Sequence, residues 1–149
     1  MGNLTAERSI EIDAPLEEVY EIIADLDSTP EWQEAMISID VLERDEEGRV
    51  ELADIKSDAK VKQVTNRMRF TYDPPDGINW FQEKGDMKSL EGEWRLESID
   101  ANRTRATYWL EGDPGRMLGM LMRGPVEGKV KEFLTKDSVE GLKKRAESG

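Results

Sequence analysis

The sequence contains no histidine and no cysteine. Their absence removes the usual ligands of zinc, copper and haem, the Ser-His and Cys-His nucleophile pairs, and the side chain that most easily accepts a proton near neutral pH. Carboxylates, Tyr, Lys and Arg remain for proton transfer, and no metal or other cofactor is expected. The lack of cysteine also fits a reducing, cytoplasmic setting. No apolar run approaches the roughly 20 residues that a membrane-spanning helix needs, so membrane insertion is not expected. The start of the chain lacks the basic and apolar regions of a signal peptide. Met1 and Gly2 open like a myristoylation signal, but Ala6 stands where that motif needs Ser or Thr. Basic residues are scarce: 21 Lys and Arg face 33 Asp and Glu, a net charge of −12. A chain so acidic is unsuited to nucleic acid, whose phosphates demand a basic face, and well suited to staying in solution.

What is present has to be well placed, because hydrophobic residues (37%) barely exceed charged ones (36%). With 149 residues the simplest organisation is one domain spanning 1–149, large enough to bury a core. The last quarter, 113–147, organises the rest. Met117, Leu118, Leu121 and Met122 form one apolar stripe at helical spacing, and Val126, Val130, Phe133 and Leu134 form a second. Gly124 and Pro125 separate them, so the spacing predicts a short helix, a break and a long helix.

Before this segment the pattern is mostly that of strands. Residues 7–13 alternate, with Ile10 and Ile12 on one face. Pro15 then suits the first position of a helix in which Leu16, Val19, Tyr20, Ile23 and Leu26 form a stripe. That helix stops within 25–28, and Thr29 and Pro30 read as the cap and start of a second, short helix carrying Trp32. From Met36 the period changes to two, and strands are predicted at 36–44, 48–56, 60–72, 77–84, 88–99 and 103–112. Connections this short permit only antiparallel neighbours.

Alternation assigns faces. Val64, Asn66, Met68, Phe70 and Tyr72 share one face; Leu90, Gly92, Trp94 and Leu96 share another; so do Ala106, Tyr108 and Leu110. The hairpin between residues 77 and 99 has two possible registers. A two-residue turn at Gly85 and Asp86 sets Phe81 beside Leu90, whereas a three-residue loop puts Ile78 and Trp80 on the face of Leu90 and Trp94. The second collects two Trp on the covered face and is the preferred reading.

At this point three stretches resemble a known group. They are IEIDAPLEEVYEIIADLDSTPEW, then INWFQEKGDMKSLEGEWRLE followed by NRTRATYWLEGDPG, and the closing GLKKRAE. Together they resemble the polyketide cyclase/dehydrase and lipid-transport-like group of the START-related (SRPBCC) superfamily. The resemblance implies an α+β helix-grip fold. Such a fold has a curved seven-strand antiparallel sheet wrapped around a long C-terminal helix, two short helices between the first two strands, and an apolar cavity between sheet and helix. Relatives include aromatase/cyclases, coenzyme Q-binding proteins and lipid carriers.

Gaps lined with aromatic rings and a few polar groups are what ligand sites look like. The candidate ligand-binding set is Asn66, Met68, Phe70, Trp80, Trp94 and Tyr108 from the strands, with Met117, Met120, Leu121 and Phe133 from the closing helices. Gln82 and Ser98 are further inward polar candidates, and core packing is the alternative role for each ring. The methionines suit a cover of varied shape, and Gly119, Gly124 and Pro125 interrupt the helix there as a gate would. Trp32 is expected to anchor the helical corner against the closing helix. Arg67, Arg69 and Arg95 read as outward and His is absent, which departs from the polar interior of the cyclases; no residue is assigned a catalytic role. Asn102, Arg103 and Thr104 fit a glycosylation pattern in a tight turn, and Lys143, Lys144 and Arg145 answer a helix dipole. The leading expectation is a cytoplasmic binder of a lipid-like, isoprenoid or polyketide-like molecule. An aromatase/cyclase-type enzyme is the second, and a module binding a partner through its sheet or the Trp32 region the third.

Overall fold

Seven runs of alternating side chains become seven strands in the computed structural model, which describes residues 4–148. The order is β1 (Leu4–Ile12), α1 (Leu16–Ala24), a 3-10 helix (Leu26–Glu31), β2 (Met36–Arg44), β3 (Val50–Asp58), β4 (Gln63–Asp73), β5 (Gly77–Gly85), β6 (Ser89–Asp100) and β7 (Arg103–Asp113). Two helices close it, α2 (Gly115–Leu121) and α3 (Pro125–Glu147). Met1 and Gly2 lie outside the described residues. Short connections from β2 to β7 force an antiparallel meander, and β1 returns to the free edge of β7, giving the order β1-β7-β6-β5-β4-β3-β2. This is the helix-grip fold. Register shifts in the β2–β3 and β4–β5 ladders mark bulges, which bend and twist a sheet locally.

The faces follow the alternation. Val64, Asn66, Met68 and Phe70 are buried on β4, and Trp94 with Leu96 on β6 and Ala106 with Tyr108 on β7 complete the covered surface. β5 pairs Ile78 with Trp94 and Trp80 with Gly92, the register of the longer loop, leaving Phe81 half exposed opposite Glu91.

The stretch after α1 differs from its expectation. The 3-10 helix begins at Leu26, with Pro30 inside it and Trp32 just past its end. Asp25 is the reason: its φ of −86° and ψ of 76° break α1, and its carbonyl accepts from Ser28 N while its carboxylate accepts from Ser28 Oγ at 2.8 Å. The new turn therefore starts on Asp25, and the Thr29 hydroxyl caps nothing. It is buried and without a hydrogen-bond partner.

Helix α3 packs against β1, β7 and α1. Its covered side mixes Val130, Val139 and Leu142 with Thr135 and Ser138, whose hydroxyls bond back to the Lys131 and Leu134 carbonyls. Gln33 Nε2 donates to Ser138 Oγ, and Ala35 N donates to Asp137 Oδ2 at 2.9 Å, so the corner after the 3-10 helix is tied to α3. Trp32 is buried there with its backbone against Gly141, the anchoring place expected for it and one closed to an outside partner.

Charged residues occupy the outer face. Arg67 grips Asp54 through Nε at 2.9 Å and a second nitrogen at 3.2 Å, and those hydrogen bonds hold the Asp54 carboxyl below its ordinary value of 3.8. A lowered folded-state value means that this stabilisation is present above the unfolded value and is lost as pH falls through the folded one. Asp27, bonded to Arg44, shifts the same way. Circular dichroism is expected to show stability falling steeply below about pH 4. Asp54→Asn should flatten that fall while costing less than about 1 kcal/mol at neutral pH, as suits a partly exposed pair. An unchanged acid slope in the variant would remove Asp54 from this account.

Candidate ligand-binding cavity

Between the inner face of the sheet and α3 lies a cavity of about 150 Å³. Each wall has a periodicity that places it there. Strand positions two apart bring Asn66, Met68 and Phe70 from β4, Ile78 and Trp80 from β5, Leu90 and Trp94 from β6, and Tyr108 and Leu110 from β7. From α3 come Val130, Leu134 and Ser138, four residues apart and hence on one helical face. The 3-10 helix adds Leu26 and Thr29 and the corner after it Gln33, while α2 and its end add Leu118 and Met122.

Four rings form a continuous series along the wall. Phe70 lies 6.3 Å from Trp80, Trp80 5.8 Å from Tyr108, and Tyr108 4.7 Å from Trp94, all tilted; Trp32 stands behind Trp94 at 6.2 Å. Phe70, Trp94, Tyr108, Trp32 and Met68 belong to the main core, and the partly buried Trp80 packs against it. A second apolar cluster of Val64, Leu118, Met122 and Val130 covers the other part of the cavity, and α2 is seated on it.

Six of the ten residues singled out from the sequence thus line one space: Asn66, Met68, Phe70, Trp80, Trp94 and Tyr108. The other four do not. Met117, Met120 and Leu121 are 81%, 59% and 50% exposed. Helix α2 is only two turns long, so it offers one narrow face, the Leu118–Met122 pair, and turns the flanking positions to solvent. Phe133 sits about 100° around α3 from Leu134, on a flank where the Lys60 ammonium rests 4.1 Å above its ring. Tyr72, assigned by alternation to the inward face of its strand, is engaged elsewhere: it donates to the Val50 carbonyl and carries the Arg49 guanidinium 4.6 Å from its ring centre. Ser98 is exposed at a hairpin end, bonded to the Asp100 carbonyl. Gln82 and Asn66 are spent partly on the β5–β6 loop, bonding Met87 O at 2.9 Å and Met87 N at 3.3 Å.

Sequence reasoning missed Thr29, Gln33 and Ser138. Ser138 had a visible signal, as it interrupts the row Val130, Leu134, Leu142 at four-residue spacing. With Tyr108 these make one polar part of the wall, separate from Asn66 and Asp58. Ser138 and Gln33 favour the ionised form of Tyr108, but burial dominates and pushes its hydroxyl up to about 12, so it stays protonated. Asp137, behind this cluster, has its carboxyl raised by burial despite the Ala35 N–H. Among the described lining residues Asp58 is the one charged side chain, and one of its oxygens accepts from Lys60 N at 2.7 Å. The described residues hold no cluster of three or more metal-ligating side chains, and no described helix is long and apolar enough to cross a membrane.

Solved structures share this architecture. A START superfamily protein from Mycobacterium smegmatis superposes with a TM-score of 0.83 at 16% identity, covering 97% of both chains. A Thermus thermophilus protein gives 0.83 at 21% identity, over 97% of this chain and 98% of that one. The Zhui aromatase/cyclase from a Streptomyces species gives 0.77 at 18% identity, over 97% and 94%. No curated protein matches the sequence significantly. Residues 12–136 match the family described as polyketide cyclase / dehydrase and lipid transport. That stretch runs from the end of β1 into α3 and takes in every strand of the meander, so the chain belongs to the polyketide cyclase / dehydrase and lipid transport family.

Proposed function

We propose that the protein binds a hydrophobic small molecule, a lipid-, isoprenoid- or polyketide-like compound, between its sheet and α3, and so carries or sequesters it. The carrying observation is the cavity itself. Cores normally pack with few voids larger than a water molecule, yet here about 150 Å³ lies against four aromatic rings. Asn66, Met68, Phe70, Trp80, Trp94 and Tyr108 are its proposed contacts. Native mass spectrometry of protein purified gently from its own cells is expected to show an adduct that leaves on denaturation. Leu110→Trp, which fills the space, should abolish the adduct without unfolding the chain. A bare mass from native cells, together with no uptake of any neutral apolar compound offered in vitro, would overturn the reading.

A second reading, an aromatase/cyclase-type activity on a polyketide-like substrate, draws on the Tyr108, Gln33 and Ser138 hydroxyl and amide groups at the cavity wall and on the Streptomyces neighbour. Turnover, and not merely binding, of a poly-β-ketone mimic separates it from carriage.

A further inference from the structure

The cavity wall is not uniformly apolar, and one group of its polar side chains lies where the segment after α1 meets α3. Thr29 and Gln33 lie one turn apart, with Gln33 N bonded to the Thr29 carbonyl at 2.9 Å, and both line the cavity. Gln33 Nε2 reaches Ser138 Oγ, which in turn donates to the Leu134 carbonyl at 2.7 Å, and Tyr108 lines the cavity beside them. Thr29 is the odd member. It is 3% exposed, and its Oγ1 has no partner at all. A buried hydroxyl left unpaired is destabilising, and valine has the same shape without that cost. Its position on the cavity wall supplies the missing reason for a threonine.

We propose that Thr29, with Gln33, Tyr108 and Ser138, forms a head-group subsite for an uncharged hydroxyl- or carbonyl-bearing ligand whose apolar body extends toward Leu118 and Met122. The inference rests on the binding function proposed above and adds the ligand's polarity and orientation. A negative charge is excluded by the lining: among the described lining residues there is no Lys or Arg to pair a buried anion, and the one charged side chain, Asp58, is itself acidic. A fatty-acid-like carboxylate inside would be unpaired, whereas a phenol, alcohol or ketone would give Thr29 its hydrogen bond.

Three single-ring probes matched to the cavity test this: toluene, p-cresol and p-toluate, titrated by ligand-observed NMR. Wild-type protein should bind p-cresol about tenfold more tightly than toluene, the worth of one buried hydrogen bond, and p-toluate more weakly than either. Thr29→Val should erase the p-cresol preference, keep toluene affinity and raise Tm in the free protein. Thr29→Ser should retain the preference. Equal binding of toluene and p-cresol, with Thr29→Val silent, would overturn the subsite while leaving the cavity's function standing. Tight p-toluate binding would overturn the uncharged head group. Binding of none of the three would overturn both readings.

Discussion

Gly141→Ala should destabilise the protein by about 1–3 kcal/mol, the range for overpacking a tight site, although alanine in a helix interior normally stabilises by up to about 1 kcal/mol over glycine. The sign is inverted by the neighbour. A Cβ at Gly141 would fall on the Trp32 carbonyl oxygen and lie 3.4 Å from Trp32 Cε3. That oxygen is backbone, held by the turn in which Trp32 N and Gln33 N both donate to the Thr29 carbonyl. It has little freedom to retreat, so α3 must move away from the corner. Such a shift would strain the Ala35–Asp137 and Gln33–Ser138 bonds together. Gly128 is the internal control, because a Cβ there meets nothing within 4 Å, and Gly128→Ala should follow the ordinary helix rule and stabilise. Urea denaturation of both variants checks the pair. Stabilisation by both would mean that α3 stands further from the Trp32 corner than described.

In hydrogen exchange, α2 should exchange about a hundredfold faster than the centre of α3, since locally opening units span the whole range from zero to global stability. The two helices differ in what holds them. Around Val139 and Leu142, α3 is fully buried in the main core, whereas the large apolar anchors of α2 are Leu118 and, just past its end, Met122. Between them stands Gly124, with φ 63° and ψ −135°, a conformation that side-chain-bearing residues rarely adopt. A hinge there would swing α2 without disturbing α3. The size of the cavity supplies the need: about 150 Å³ accepts a single ring, while sites for larger ligands run to about 300–1,000 Å³. A longer molecule must therefore displace the cover. Leu118→Ala should speed α2 exchange further and leave the α3 core unchanged, and a bound neutral apolar ligand should slow it. Gly124→Ala would strain the junction and cannot serve as a stiffening variant. Equal protection of α2 and α3 in the free protein would rule out a movable cover.

The strands were legible because each carries its own evidence. On β4 five inward side chains alternate with charged or polar ones, and one slip would put Phe70 in water and Arg69 in the core. The β5–β6 register was decided by the gain from covering two tryptophans instead of one. The closing helices were less legible for a physical reason. A helix of two turns has too few positions to define its buried arc, and Met117 is only 100° from Leu118, so a stripe wide enough to include both fits the sequence as well as the narrow one. Which half is used depends on the groove offered by Val64 and Val130, elements distant in the chain. Thr29 misled for a similar reason: Thr before Pro is a good helix start, but Asp25 had already begun the turn.

Trp32, Trp94, Tyr108, Trp80 and Phe70 form a line of five chromophores, each within 6.3 Å of the next and tilted by 37–53°. Transition dipoles so close and so consistently skewed couple to one another, and coupled skewed dipoles are optically active. The near-ultraviolet spectrum of this protein is therefore a property of the line and not a sum over separate rings. Four of the five rings face the cavity, so a guest that turned one of them by a few degrees would alter the whole band, while the amide signal of the sheet stayed fixed. The same wall that would hold a molecule also records its arrival, without any added label.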